Sequence, residues 1–485
     1  MIKLNREELR DKIYACWLGK NIGGTIGAPY EGQRNTNDCK GFSTEPGKPL
    51  PNDDLDLQLV WLKAMYEVGP YSINSDILGE YWSEYIVPYW SEYGNCKSNM
   101  RRGLMPPISG QYENIWKNSN GAWIRTEIWA TMFPCDLEKA IYCAFEDASV
   151  DHGVGDGTYA AVFVAAMESA AFAVNDIREL IKIGLSNIPQ DCRFARFINA
   201  AVECYDSGMT WLEARNKLTD MALADPELGW FQAPANVGYV IIALLYGEGD
   251  FKKTVLTACN CGDDTDCTCA TAASILGIMN GTSVIPEDWK KYIGDDITTV
   301  SVNVAAVDTY RGLLGGAYKL PATCTELTDS VMAIHPLTLF TRPVKITDEE
   351  TKRDISKIEN LYGNNMNLFG RKEYFTVHKY LLATYTIELS KEPLVKPLEE
   401  ISVKVTFKNN FLSQKNFICS WKLPEGWSVS GQSSVALNRG PHEGTVQSEY
   451  IITAGENIAS KNTLILEIAC DGHHEIALIP VVLLG

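Results

Sequence analysis

Three aspartates crowd into four residues at Gly262-Asp263-Asp264-Thr265-Asp266-Cys267, just before the small and apolar run from Ala270 to Met279, which has the composition of a buried helix. A helix entrance favours an oxygen, because its first N–H groups lack partners and its dipole is positive there. One carboxylate meets that need. Three in front of an apolar helix repel one another, and a bound hard cation such as Mg²⁺ or Mn²⁺ relieves the repulsion most simply. A second stretch repeats the pattern: Asn52-Asp53-Asp54-Leu55-Asp56 precedes Leu59, Trp61, Leu62 and Met65 at helical spacing. Two such entrances facing each other across one cleft would share one or two divalent ions. The bland alternative makes each a solvated cap, and the pairing of two clusters weighs against it.

The elements that must hold these turns follow from periodicity. Asn5 and Glu8 form a capping pair ahead of Leu9, Ile13, Cys16 and Trp17, which predicts a first helix to about Lys20. Gly19, Gly23 and Gly27 then recur every fourth residue, a spacing that on a helix leaves one smooth face for close backbone approach. Pro29 ends that run and leaves Glu31 at a loop entrance. A helix with an apolar face is expected over residues 76–93, kinked or ended at Pro88. Residues 95–125 lack a period and read as a long loop, either a lid over a site or packing against a second domain. Helical spacing returns around residues 137–145, 159–170, 194–205 and 237–245, with a capping box at Thr210 and Glu213.

Beyond residue 330 the texture changes. Ile401-Ser402-Val403-Lys404-Val405-Thr406-Phe407 alternates without a slip, and similar alternation recurs around Cys419, Leu466 and Leu478 with turn signals between. The expected architecture is multidomain: an all-α domain over residues 1–330, a connector over 331–371 and a small immunoglobulin-like β-sandwich over 372–485.

A chain of 485 residues with net charge −18 is poorly suited to a nucleic-acid or anionic-membrane surface. The N-terminus lacks the apolar core of a signal peptide, and no apolar run reaches spanning length. The 14 cysteines are scattered through helix-interior patterns, as for reduced thiols in the cytoplasm. Cys259/Cys261 and Cys267/Cys269 lack the Cys-x-x-Cys spacing usual for zinc, and the interleaved carboxylates suit magnesium better.

Four motifs in order resemble the ADP-ribosylglycohydrolase family: the glycine-rich opening from Gly19 to Gly32 with Glu31, Asn52-Asp53-Asp54, the His-containing loop from Ser149 to Tyr159, and Gly262 to Cys267. The resemblance implies an all-α orthogonal helical catalytic domain with a two-magnesium centre. It implies Asn52, Asp53, Asp54, Asp264 and Asp266 as metal ligands, and Glu31, Asp54 and Asp264 as the residues nearest the chemistry. It also implies that His152, Gly155, Gly157 and Tyr159 hold the ribose and phosphates of a small-molecule ADP-ribosyl or related glycosyl substrate. Asn52 and Cys267 stand where the family carries a hydroxyl residue, and Gly24 where many members carry aspartate. A thiol is a poor ligand for Mg²⁺, so one ion or two are both open.

The chemistry itself asks for such parts. A ribosyl C–N or C–O bond breaks through an oxocarbenium-like state, which needs a positioned water, a carboxylate to take its proton and groups that orient the sugar hydroxyls. Glu31 is one candidate base or gate, and a metal-held aspartate the other. The competing readings are a non-catalytic small-molecule-binding or structural protein of the same fold, and an assembly protein that docks or forms homo-oligomers through its β-domain. The kept aspartates weigh against a mere scaffold, which would gain by losing clustered charge.

Overall fold

The computed structural model describes residues 1–307, 318–338, 344–351, 354–363, 366–438 and 444–485. It falls into two compact units. One comprises Met1–Gly94 with Ile115–Gly370, the other Asn95–Asn114 with Arg371–Gly485.

The first unit is helical. Its elements run α1 (Arg6–Gly27), α2 (Asp53–Val68), α3 (Ser75–Tyr85), α4 (Ser91–Arg101, whose second half belongs to the other unit), α5 (Ile108–Gln111, in the other unit), α6 (Glu127–Met132), α7 (Leu137–His152) and α8 (Asp156–Ala171). There follow α9 (Ile177–Ser186), α10 (Arg193–Asp206), α11 (Trp211–Leu223), α12 (Ala233–Gly247), α13 (Phe251–Cys261), α14 (Thr265–Asn280), α15 (Glu287–Ile293), α16 (Val304–Val307) and α17 (Cys324–Thr338). A short strand β1 (Ile2–Asn5) pairs in parallel with β2 (Val344–Thr347).

Helix α1 starts as expected, with Asn5 Oδ1 accepting from Glu8 N at 3.0 Å, but it continues through the glycines to Gly27 rather than stopping near Lys20. Glycine costs a helix about 1 kcal/mol per residue relative to alanine, and the return is contact with α14. A Cβ at Gly19 would stand 2.7 Å from Ala273 O, and one at Gly23 or Gly27 would stand 2.5 Å from Cα of Ala270 or Asp266. The two backbones therefore touch along the glycine face, and this contact brings the start of α14 beside the end of α1.

Of the two outcomes expected at Pro88, ending is the one seen: the helix stops at Tyr85 and a separate helix starts at Ser91, because Pro88 removes a helical donor between them. Residues 95–125 are largely ordered into α4, α5 and a 3₁₀ turn at Trp123–Arg125, with Asn99 Nδ2 donating to Ser109 O and Tyr112 O at 2.9 and 2.7 Å.

The second unit holds two antiparallel sheets, one in the order β11-β10-β6-β8 and the other β3-β4-β5-β9-β7. The strands are β3 (Phe375–Lys379), β4 (Ala383–Leu389), β5 (Glu400–Asn409), β6 (Lys415–Lys422), β7 (Ser428–Gly431), β8 (Ser434–Leu437), β9 (Thr445–Thr453), β10 (Lys461–Cys470) and β11 (Ile476–Leu484). Val403, Val405 and Phe407 from one sheet share a core with Leu464, Leu466 and Ile468 from the other, so the alternation in β5 and β10 faces one interior. Leu104, Ile108 and Tyr112 belong to the same core. Of residues 95–125, the first part, through Leu104, Ile108 and Tyr112, is packing for the β core, while Trp116, Ser119, Asn120 and Ile124 line a cavity of the helical unit. No single helix among the described residues is long and apolar enough to cross a membrane.

Candidate active site

The α1–α14 contact and the start of α2 place the acidic turns together. Carboxylate oxygens of Asp54 and Asp266 and Cys267 Sγ lie within 4.8 Å of one another, as do oxygens of Glu31, Asp264 and Asp266. Asp266 belongs to both groups. None of these acids is spent as a helix cap: Asn52 Oδ1 caps α2 by accepting from Asp54 N at 2.9 Å, and Asp264 at the start of α14 makes no capping bond. The solvated-cap reading fails on burial too, since Asp54 is fully buried, and Asp264 and Asp266 are 5% and 8% exposed.

Burial and crowding raise the proton affinity of every member. Asp53 and Asp54 are each pushed up to about 6, chiefly by burial, with Asp54 adding to the effect on Asp53. Asp264 is pushed up to about 7 by burial, and Asp266 stands well above the usual carboxylate range from burial and then from Asp264 and Glu31. Glu31 is raised by partial burial and by Asp53. Asp54 Oδ2 is buried without a hydrogen bond, although Lys20 Nζ stands 3.4 Å away. A set of hard oxygen donors that repel one another, with one left unbonded, fits a divalent cation.

The carboxylates are held from behind. Lys20 and Glu127, both fully buried, pair at 2.7 Å, and Gln58 Nε2 donates to Glu127 at 2.9 Å. Asn120 Nδ2 donates to Asp264 Oδ2 at 2.6 Å while its Oδ1 accepts from Trp123 Nε1 at 3.0 Å. Tyr93 OH donates to Asp53 Oδ2 at 3.1 Å. Behind Asn120, Arg125 binds Asp151 through two nitrogens at 2.7 and 3.1 Å and Asp147 at 3.0 Å. Ser119 Oγ lies 2.9 Å from Glu92 Oε2 and 3.0 Å from His152 Nε2.

These groups face a cavity of about 410 Å³ lined by Glu31, Asp53, Asp264, Asp266 and Cys267, with Glu92, Ser119 and Asn120 opposite and Trp90, Tyr93, Trp116 and Phe231 supplying apolar wall. Its size and mixed lining suit a small polar molecule.

Several expected residues sit elsewhere. His152, Gly155, Gly157 and Tyr159 are not among the cavity lining. The amides expected to cradle a diphosphate are already used, since Asp156 N donates to Asn118 Oδ1 at 3.1 Å and Gly157 N to Lys117 O at 3.3 Å. Tyr159 packs on Phe369 with ring centroids 5.1 Å apart, and His152 stands behind the cavity wall, 3.0 Å from Ser119 Oγ and within 4.8 Å of Glu92. The loop thus braces residues 117–119. Asn52 Oδ1 accepts the capping bond of α2, and its Nδ2 lies 2.0 Å from where a Cβ at Gly24 would stand. Asp56, the third acid of its cluster, accepts from Val300 N at 2.7 Å and from Ser301 N. Asp263 is 6% exposed with φ +67°, and its backbone pairs with Gln33 just after Glu31.

Ser119, Asn120, Arg125, Lys20 and Glu127 escaped the sequence reading. The available signals were a lysine amid the apolar and glycine residues of α1 and an arginine beside tryptophans, each an interior charge that must have a partner.

The ADP-ribosylglycohydrolase family model matches residues 5–316. The chain belongs to that family. Among solved structures, a chain of an ADP-ribosylglycohydrolase-related protein complex aligns over 69% of this chain and 100% of its own length, at 16% identity and a TM-score of 0.43. Part of this chain aligns with a FixG-related protein from Vibrio parahaemolyticus (9% identity, 22% of this chain and 97% of that one, TM-score 0.19). Another alignment is with the GAE domain of GGA2p from Saccharomyces cerevisiae (18% identity, 23% and 96%, TM-score 0.17). A search among curated proteins finds no match.

Proposed function

We propose that this member of the family is a metal-dependent hydrolase that cleaves an N- or O-glycosidic bond at the anomeric carbon of an ADP-ribosyl or related ribosyl or glycosyl compound. The observation that carries the reading is the meeting of Asp264 and Asp266, both buried, with the more exposed Glu31 at one cavity wall, and of Asp266 with the buried Asp54 behind it. A structural core would not keep so costly an arrangement.

In this reading Asp53, Asp54, Asp264 and Asp266 hold Mg²⁺ or Mn²⁺. Ions bound there supply Lewis acidity for water and anchorage for sugar hydroxyls. Glu31 is the group best placed to take the proton from an attacking water: it joins Asp264 and Asp266 at the cavity, and its raised proton affinity makes it a stronger base than an ordinary carboxylate. Asn120 fixes the orientation of Asp264, and Tyr93 that of Asp53. Trp116 and Phe231 offer flat apolar surface for the leaving group or a base ring.

The test is incubation with Mg²⁺ or Mn²⁺ and a panel of ADP-ribosyl-arginine, ADP-ribosyl-serine, free nucleosides and simple glycosides, with released sugar as readout. Turnover of one class is expected, falling at least about 100-fold in Glu31→Gln, the low end of a general base's contribution. No turnover of any class, with no effect of either ion on the unfolding midpoint, would favour a non-catalytic binding protein.

A further inference from the structure

We propose that Cys267 is itself a metal ligand, so that the half of the centre formed by Asp54, Asp266 and Cys267 takes a softer divalent ion of the Zn²⁺, Co²⁺ or Fe²⁺ type, while Asp264 and Asp266 form the hard-oxygen half beside the base Glu31. This rests on the reading that the acidic turns hold cations, and goes beyond it in the identity of one ion and its donor atom.

The environment of the thiol carries the inference. Cys267 Sγ points at Asp54 Oδ1, 3.3 Å away, and shares a 4.8 Å cluster with oxygens of Asp54 and Asp266. Nearby cysteines are turned to backbone instead: Cys269 Sγ donates to Val255 O at 3.4 Å and Cys39 Sγ to Gly41 O at 3.7 Å. Cys267 also lines the cavity. Asp54, fully buried behind it, keeps its Oδ2 without a hydrogen bond, with Lys20 Nζ 3.4 Å away as its counter-charge.

Two carboxylate oxygens and one sulfur, with the cavity as the fourth direction, make the three-ligand set with an open position in which a tetrahedral ion activates water. Mg²⁺ avoids sulfur, whereas zinc, cobalt and iron accept a mixed donor set. Binding breaks the S–H bond: the proton leaves to solvent, the sulfur lone pair goes to the ion, and nothing is oxidised or reduced.

Cobalt tests this without reference to turnover. The full chain, stripped with EDTA and kept reduced with a phosphine, is titrated with Co²⁺ under anaerobic conditions and followed by absorption. A thiolate-to-cobalt charge-transfer band in the near ultraviolet is expected beside the visible ligand-field bands. Cys267→Ser and Cys267→Thr should each lose the charge-transfer band, keep ligand-field bands, and bind Co²⁺ more weakly by at least about tenfold, the smaller end of losses on disturbing a metal's surroundings. Circular dichroism of both variants checks their folding. Ligand-field bands without charge transfer in the wild type would overturn the sulfur ligand and leave the cation site standing, as would a band that survives in either variant. Failure of Co²⁺, Mg²⁺ and Mn²⁺ alike to bind would overturn both readings.

Discussion

Replacing Asp264 by asparagine should stabilise the metal-free protein at neutral to alkaline pH, although it removes a proposed ligand. Asp264 is raised from 3.8 to about 7, first by burial. A folded-state value above the unfolded one means that the folded chain holds the proton more tightly. The favourable contribution is complete below 3.8 and is lost as pH rises through about 7. At about 1.4 kcal/mol per unit, ionising this group costs the fold up to about 4 kcal/mol at pH 8. An amide avoids that cost and still accepts from Asn120. Taking about 2 to 4 kcal/mol as the relief, and about 2 °C per kcal/mol for a unit of this size, the unfolding midpoint in EDTA should rise by about 4–8 °C at pH 8 and by much less at pH 5. Mg²⁺ or Mn²⁺ should reverse the order, because an ion at about 1,000 times its Kd adds about 4.1 kcal/mol to the wild type alone. Thermal unfolding followed by circular dichroism at both pH values, with EDTA and with each ion, reads all of this. A midpoint at pH 8 in EDTA that is unchanged or lower in the variant would refute the claim that these charges are held at a cost.

Three further outcomes follow from other parts of the molecule. Gly27→Ala gains about 1 kcal/mol in helix propensity but drives a methyl into the α14 backbone, so urea unfolding should show a net loss of at least about 1 kcal/mol, and a net gain would contradict the close contact. Arg125→Met strands the carboxylates of Asp147 and Asp151, with an expected loss of about 3–5 kcal/mol in the same assay that Arg125→Lys fails to restore, since an ammonium cannot reproduce the forked contact. In the β unit, burial lowers His378 from 6.5 to about 4, so stability is lost as pH falls below 6.5; between pH 7.5 and 5 this amounts to about 2 kcal/mol, and His378→Gln should flatten that part of the profile.

What the sequence disclosed depended on whether a residue's reason for being there was local. The every-fourth-residue glycines named their own helix face, and β5 wrote its burial in strict alternation, so an all-α domain followed by a β-sandwich could be read directly. The four-residue β1 was too short for alternation to register, and its partner lies more than 300 residues away. Residues 95–114 show no period because their apolar side chains Leu104, Ile108 and Tyr112 are placed by the core of the β unit rather than by a helix face of their own. At the site, the aspartates announced themselves by crowding. Lys20, Asn120 and Arg125 did not, because each is explained by partners that sequence leaves far away: Lys20 by Asp54 and Glu127, Asn120 by Asp264, Arg125 by Asp147 and Asp151.

Two departures from the family pattern, at residues 24 and 52, lie side by side. A Cβ at residue 24 would stand 2.0 Å from Asn52 Nδ2, so a side chain there requires the Asn52 amide to move from its present place. Asn52 keeps the cap on α2 that frees Asp53 and Asp54 from capping. The missing aspartate lowers the count of acids at the end of α1, while Lys20, one turn earlier on the same helix, brings a buried positive charge to Asp54. Burial opposes that charge, yet Glu127 and Asp54 raise its proton affinity above that of an ordinary lysine, so it stays charged. Both changes make the Asp54 side of the centre less negative than the Glu31 side. A hard ion held by charge alone therefore favours the side of Asp264 and Asp266, next to Glu31, and the Asp54 side must draw its affinity from donor chemistry, which is where the sulfur of Cys267 stands.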